Sequence, residues 1–162
     1  MALTKLNNQS LSAVTAAGLP TLATANMPTG SLLNAGMFSA MTQNNLSSST
    51  SYAAAWTINY TPVSSNSILY FNISCPALAE ASNRLDIKLN WRGGTDTEFL
   101  TAMDCNSISG WSEFAIYIPY QVGNDSTAQG TLTCTARSNG QGVAYINYSY
   151  AGTRIIVNEV AA

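Results

Sequence analysis

The chain has 162 residues, enough for one domain with a short extension, because single domains cluster near ~100–150 residues. Charged residues make up only 9% of it and six are basic, which excludes the clustered positive surface that binds nucleic-acid phosphates. Hydrophobic residues reach 46%, too many for a disordered chain, yet no run approaches the ~20 apolar residues of a membrane-spanning helix.

The first 36 residues predict an extended arm. They are rich in Ala, Thr, Asn, Pro and Gly, carry one charge at Lys5, and show no period of 2 or 3.6 residues. Polar residues at 7–10 stand where a secretion signal would have its apolar core, so we expect no secretion. The arm holds more apolar surface than a solvated tail, and it either packs along its own domain or docks on another subunit. We expect it to anchor the protein on another subunit through Leu3, Leu6, Leu11, Val14, Leu19 and Leu22.

Residues 37–162 predict an all-β domain, an antiparallel β-sandwich of jelly-roll type. Ser, Thr, Asn and Gln supply 57 of the 162 residues and Lys and Glu are scarce, which disfavours helices and suits strands and turns. Short β runs separated by turn residues are typical of sandwiches. In chain order, the predicted strands cover 37–46, 54–60, 67–75, 85–91, 95–103, 114–120, 131–137, 143–150 and 154–160.

Two of these runs alternate most clearly between apolar and polar residues. The first has one apolar face that we expect to point inward, made of Leu85, Ile87, Leu89 and Trp91. The second, Phe114–Tyr120, alternates equally well and contains Pro119. Because proline cannot donate to a strand ladder, we expect this strand to lie near a sheet edge or to end there.

The three tryptophans have different predicted environments. Trp56 is in phase with Ile58, and Trp91 ends the best alternating run, so we expect both to be buried. Trp111 follows Gly110 in a predicted turn, where we expect it to be exposed. An exposed indole can stack on a sugar ring, so Trp111 is the candidate glycan contact.

Three cysteines, Cys75, Cys105 and Cys134, are an odd number without metal-ligand spacing. Cys75 and Cys134 lie in predicted strands, and we interpret them as small buried apolar residues. A bridge between these two is the alternative that the sequence leaves open.

Candidate catalytic groups are few. The chain has no histidine, which removes the usual general base of Ser and Cys hydrolases and the commonest transition-metal ligand. Asp96 and Glu98 would share a strand face, with Asp104 further along, and we interpret them as solvated surface charges. We therefore predict that the protein is not an enzyme, with no catalytic residue, cofactor or metal site. Calcium bound by these carboxylates or Asp125, and a Ca²⁺-assisted hydrolase built on the first three, are the alternatives.

Three short segments carry a resemblance to a known group of proteins. The opening MALTKLNNQSL, the stretch from Ser48 through Trp56 to Tyr70, and the final IIVNEVA resemble small structural and tail-fibre-like β-domain proteins of marine, particularly cyanobacterial, tailed bacteriophages. In that group a Ser/Thr-Tyr strand leads into an I-x-x-T/S-P-x-S-x-x-S-K-I hairpin, and a late strand ends in I-x-x-x-E-x-A. This chain departs from it at Ser67, where the group has Lys.

The resemblance implies a virion protein that is assembled in the host cytoplasm and is part of a homo-oligomer, with a trimer favoured. Its expected partners are other virion structural proteins and, at the surface, a host glycan; nucleic acid and a membrane span are not expected. We predict an arm-anchored β-sandwich on the particle surface with a tail-fibre-like or host-attachment role. The alternatives are a capsid decoration protein, as cement or head fibre, and a carbohydrate-binding module. A shared fold does not choose between them.

Overall fold

The structure is a computed structural model, and it describes residues 27–40, 44–46, 51–80, 85–101, 111–138, 143–147 and 152–162. All regular structure in these segments is β, so the all-β prediction is confirmed. The ten strands are β1 (Leu32–Ala40), β2 (Asn44–Leu46), β3 (Ala53–Tyr60), β4 (Ser67–Glu80), β5 (Leu85–Trp91), β6 (Thr97–Thr101), β7 (Trp111–Asn124), β8 (Gly130–Ser138), β9 (Ala144–Ile146) and β10 (Thr153–Ala161).

The strands form two antiparallel sheets. In the first sheet, β4 pairs with β7 along one edge, and with β10 and then β9 along the other. Strand β1 pairs with β10, and β2 pairs with β9. The second sheet has the order β3-β8-β5-β6. Apolar residues from both sheets form one buried cluster, with Phe71, Ile73, Ile87 and Leu132 fully buried. The antiparallel β-sandwich is therefore confirmed.

The two best alternating runs behave largely as predicted. Alternate residues of β5, from Leu85 to Trp91, are buried in the core. Asp86 differs, because its side chain points to the outer face and is still fully buried beside Arg137. Among the described residues β7 pairs with β4 alone, so the strand that contains Pro119 lies at an edge, as expected.

The first sheet begins earlier than predicted. Strand β1 starts at Leu32, inside the segment assigned to the arm, and pairs with β10 as far as Ala40. The preceding residues are also attached, since the Gly30 amide donates to the Ala161 carbonyl at 2.8 Å. Asn34 and Gly36 interrupt the side-chain pattern, but backbone pairing with β10 does not depend on that pattern. The boundary at residue 36 therefore shifts toward the N-terminus, and the six anchoring residues between 3 and 22 lie outside the described residues.

The sandwich has two distinct ends. Ser67 pairs with Asn124 at the end where Met27 also lies, and Glu80 pairs with Trp111 at the other. We call the first the entry end, because residues 1–26 join the sandwich there. At about 3.3 Å per residue, β7 separates the two ends by roughly 40 Å. The attachment point of the N-terminal residues and Trp111 are therefore at opposite ends.

Candidate functional site

The outward-facing surface of the first sheet is unusually apolar. Across its four long strands, the paired residues Met37, Ile156, Asn72 and Pro119 form one row. Met37 is 78% exposed and Ile156 47%, while Tyr117 on β7 is 65% exposed. We call this surface, formed by the outward residues of β1, β10, β4 and β7, the apolar outer face. Single exposed apolar residues are common, but a contiguous group of this kind marks an interaction site.

The apolar outer face also has very little charge. Arg154 is the one charged side chain described on it, and its paired neighbours are Ser39 and Ser74. The strand register puts Glu80 and Glu113 at outward positions of β4 and β7 as well, at the end opposite the entry end. The Tyr117 hydroxyl donates to Asn72 Oδ1 at 2.7 Å, so two polar groups at its centre already satisfy each other. Depletion of charge at the centre and polar groups at the margin are typical of protein interfaces.

The outward surface of the second sheet has the opposite character. Its strands present threonines and asparagines, as where Thr131 Oγ1 donates to Asn59 Oδ1 at 2.8 Å. The ammonium of Lys88 lies 4.2 Å from the centre of the Tyr52 ring, and the Arg137 guanidinium lies 4.5 Å from it. Such a polar, charged surface is suited to water, and the two outward surfaces of the sandwich therefore differ in kind.

A buried carboxylate organises the entry end. Glu159 has no exposed surface and accepts hydrogen bonds from the Tyr60 hydroxyl (3.0 Å), the Val63 and Ser64 amides (both 2.9 Å) and the Ser67 hydroxyl (2.8 Å). Burial, followed by this hydrogen bond to Glu159, raises the pKa of the Tyr60 phenol well above its ordinary value. We call this set of contacts the Glu159 clamp, because it fixes the 61–66 loop to the end of β10.

The Glu159 clamp joins two of the motifs on which the phage resemblance rests. The hairpin motif supplies the amides and hydroxyls, and the late I-x-x-x-E-x-A strand supplies the carboxylate. No role for Glu159 was predicted from the sequence. The available signal was an acidic residue at an inward position of an otherwise apolar alternating strand, since a buried charge needs hydrogen-bonding partners.

A cavity of about 390 Å³ opens at the entry end next to the Glu159 clamp. It lies between Met27, the Val63–Asn66 loop, Thr127 and the Ala161–Ala162 segment. The side chains that the described residues contribute to its lining are hydroxyl, amide and apolar groups.

The predicted carboxylate and tryptophan positions are spread over the molecule. Asp96 accepts a hydrogen bond from Asn90 at 2.9 Å, and the Asp125 side chain is 99% exposed near Arg92. The Glu98 side chain and Asp104 lie outside the described part, within which no three His, Cys, Asp or Glu residues gather. Trp56 and Trp91 are buried, as predicted.

Trp111 begins strand β7, where a turn was predicted, and its side chain is outside the description. Its role as a glycan contact stays a prediction. Across the described segments, no helix is long and apolar enough to cross a membrane.

Cys75 and Cys134 are free thiols buried in the core between the sheets. Burial raises the pKa of both, and the neighbouring Cys75 adds to the effect on Cys134.

Because the thiolate is the reactive form of cysteine, neither Cys75 nor Cys134 should react with iodoacetamide in the folded protein. We expect mass spectrometry to find both alkylated in urea without a reductant. Labelling of either in the native state, or protection in urea that a reductant removes, would contradict this assignment.

Comparisons with known proteins give no family. No family model matches the chain, and no curated protein matches it. Solved structures that are similar to it in fold include three of different function. They are the insecticidal delta-endotoxin Cry8Ea1 of Bacillus thuringiensis (16% identity, TM-score 0.35), an exo-β-1,3-galactanase of Phanerochaete chrysosporium (16%, 0.31) and TmCBM61 in complex with β-1,4-galactotriose (8%, 0.32).

The alignments cover 67%, 78% and 82% of this chain, and 18%, 30% and 92% of those structures, respectively. The chain thus spans less than a third of the first two proteins. At these identities and TM-scores the likeness concerns the β-sandwich fold alone.

Proposed function

We propose that this chain is a structural protein of a tailed-phage virion, held by its N-terminal residues and displaying the β-sandwich on the particle surface. The apolar outer face is the observation that carries the proposal. A surface with Met37, Tyr117 and Ile156 exposed and one described charge is suited to contact with protein. The proposal assigns no catalytic step, cofactor or metal to the chain.

The two ends of the sandwich support an anchored arrangement. Residues 1–26 join the sandwich at the entry end. There the Glu159 clamp holds the 61–66 loop, and the hydrogen bond from the Gly30 amide to the Ala161 carbonyl holds the segment that precedes β1. A particle that holds these residues would present the opposite end, roughly 40 Å away, to the surroundings. This arrangement favours a tail-fibre-like or host-attachment role and equally suits the alternative, a capsid decoration protein.

Deletion of residues 2–26 tests the anchoring role. We expect the truncated chain to keep a β-type circular dichroism spectrum, because the deletion stops before the first described contacts at Met27 to Gly30. It should be lost from purified virions when it replaces the full chain in phage production, as measured by immunoblotting. A second variant that changes only the six anchoring residues to serine should be lost as well.

The matched control replaces the polar Asn7 and Asn8 of the same segment with serine, and it should be incorporated normally. Normal incorporation of the deleted chain would refute the anchoring role. Immunogold labelling of intact virions separates the two locations, since label on the tail supports attachment and label over the head supports decoration.

Carbohydrate binding is the second candidate, because Trp111 lies at the end opposite the attachment of the N-terminal residues. A glycan array with the full chain and with Trp111→Ala tests it. Specific binding that Trp111→Ala abolishes would replace a purely structural role with recognition of a host glycan.

A further inference from the structure

We propose that the apolar outer face is the surface through which copies of this chain bind one another. The inference rests on the proposed structural role and names the partner of that surface as a second copy of the chain. The observations that carry it are the size of the face, its charge and its contrast with the other outward surface.

The apolar outer face is large enough for a stable contact. Strands β4 and β7 have 14 residues each, and β1 and β10 have nine. With about 3.3 Å per residue and 4.8 Å between strands, the face has a projected area of roughly 700 Å². Side-chain relief makes the accessible surface larger than this projection. Stable interfaces bury about 800 Å² per partner, so the face alone can supply the required area.

The charge pattern favours a second copy over a charged partner. Arg154 is the one charged side chain described on the face, and the register puts Glu80 and Glu113 at outward positions only at its far end, so most of the face offers a partner of opposite charge a single group. Arg154 is the second residue of β10, near the end of that strand, and its paired neighbours are Ser39 and Ser74. A face of this kind meets another copy of itself with few charges to bury. Most soluble oligomers are built from copies of one chain.

Arginine substitutions on the full-length chain test the proposal. Ile156→Arg places a guanidinium on the inner strand β10 of the face, and Met37→Arg places one beside it on the edge strand β1; burying either without a partner opposes association. The control is Thr57→Arg, which adds the same charge at an exposed position of β3 on the outward surface of the second sheet. Light scattering coupled to size-exclusion chromatography gives the mass of each variant, and thermal unfolding shows that each one is folded.

We expect the wild type and Thr57→Arg to have at least twice the chain mass of 17.1 kDa, and both face variants to dissociate at least tenfold more readily. A monomeric wild type, or face variants that keep the wild-type mass, would overturn the proposal. Face variants that keep the wild-type mass would also be the result if another segment of the same chain covered the face. Virion incorporation is measured separately, so a monomer that still joins particles removes this inference and leaves the proposed function in place.

Discussion

Replacing Glu159 with alanine is expected to lower the free energy of unfolding by about 4 kcal/mol, the first of the two largest effects that we predict. The carboxylate accepts hydrogen bonds from Tyr60, Val63, Ser64 and Ser67 and has no contact with water. Alanine removes this acceptor from the Tyr60 hydroxyl and the Val63 and Ser64 amides, while the Ser67 hydroxyl keeps the Ser64 carbonyl within reach at 3.1 Å. Hydrogen bonds to a charged group contribute about 1.5–3 kcal/mol each, but their effects are not additive within one cluster.

Thermal unfolding measures this loss, and we expect the midpoint to fall by roughly 10 °C for a chain of this size. Glu159→Gln should lose less stability than Glu159→Ala, because the amide oxygen still accepts hydrogen bonds. Some stability should still be lost, because the amide nitrogen faces other donors. The matched control is Asn158→Ala, the preceding residue on the outward side of β10, which should change stability by about 0.5 kcal/mol or less. A loss below about 1 kcal/mol in Glu159→Ala would show that water or other residues replace the carboxylate.

Alternation in the sequence predicts most of the strands, because side-chain direction has a period of two in a strand regardless of its partners. The runs at 85–91 and 114–120 lie in strands β5 and β7, and their described inward residues are buried. Strand β1 begins at Leu32 and not at the predicted residue 37, because Asn34 and Gly36 break the pattern while pairing with β10 uses only the backbone. Local sequence contains no information about which backbone edge is available elsewhere in the fold.

The site was harder to predict than the fold, because it depends on pairings between distant strands. Met37 and Ile156 are neighbours on the apolar outer face, yet they are far apart in sequence and lie in different predicted strands. One local signal was present. The segment from Ile155 through Val157 is apolar on both sides of the strand, whereas an antiparallel strand with one solvated face normally alternates between apolar and polar residues. The core covers Ile155 and Val157, which leaves Ile156 on the apolar outer face.

Phe71→Ala is the second large effect, with an expected loss of about 4 kcal/mol in the free energy of unfolding. The Phe71 side chain is fully buried on β4, between the sheets. Its ring centre lies 5.5 Å from that of Trp91 on the second sheet and 5.8 Å from that of Tyr120 on β7. Alanine removes the apolar surface and leaves a cavity that the surrounding strands cannot close, because both neighbouring rings belong to paired strands.

Urea unfolding followed by tryptophan fluorescence measures this loss directly, since Trp91 reports on the same cluster. We expect the urea concentration at the midpoint to fall while the slope of the free energy of unfolding against urea concentration stays the same. An unchanged slope indicates a change in stability and not in the surface exposed on unfolding. Ser74→Ala, on the outward side of the same strand, is the matched control and should stay within about 0.5 kcal/mol of the wild type. A loss in Phe71→Ala no larger than that of the control would mean that the two sheets do not pack around this ring.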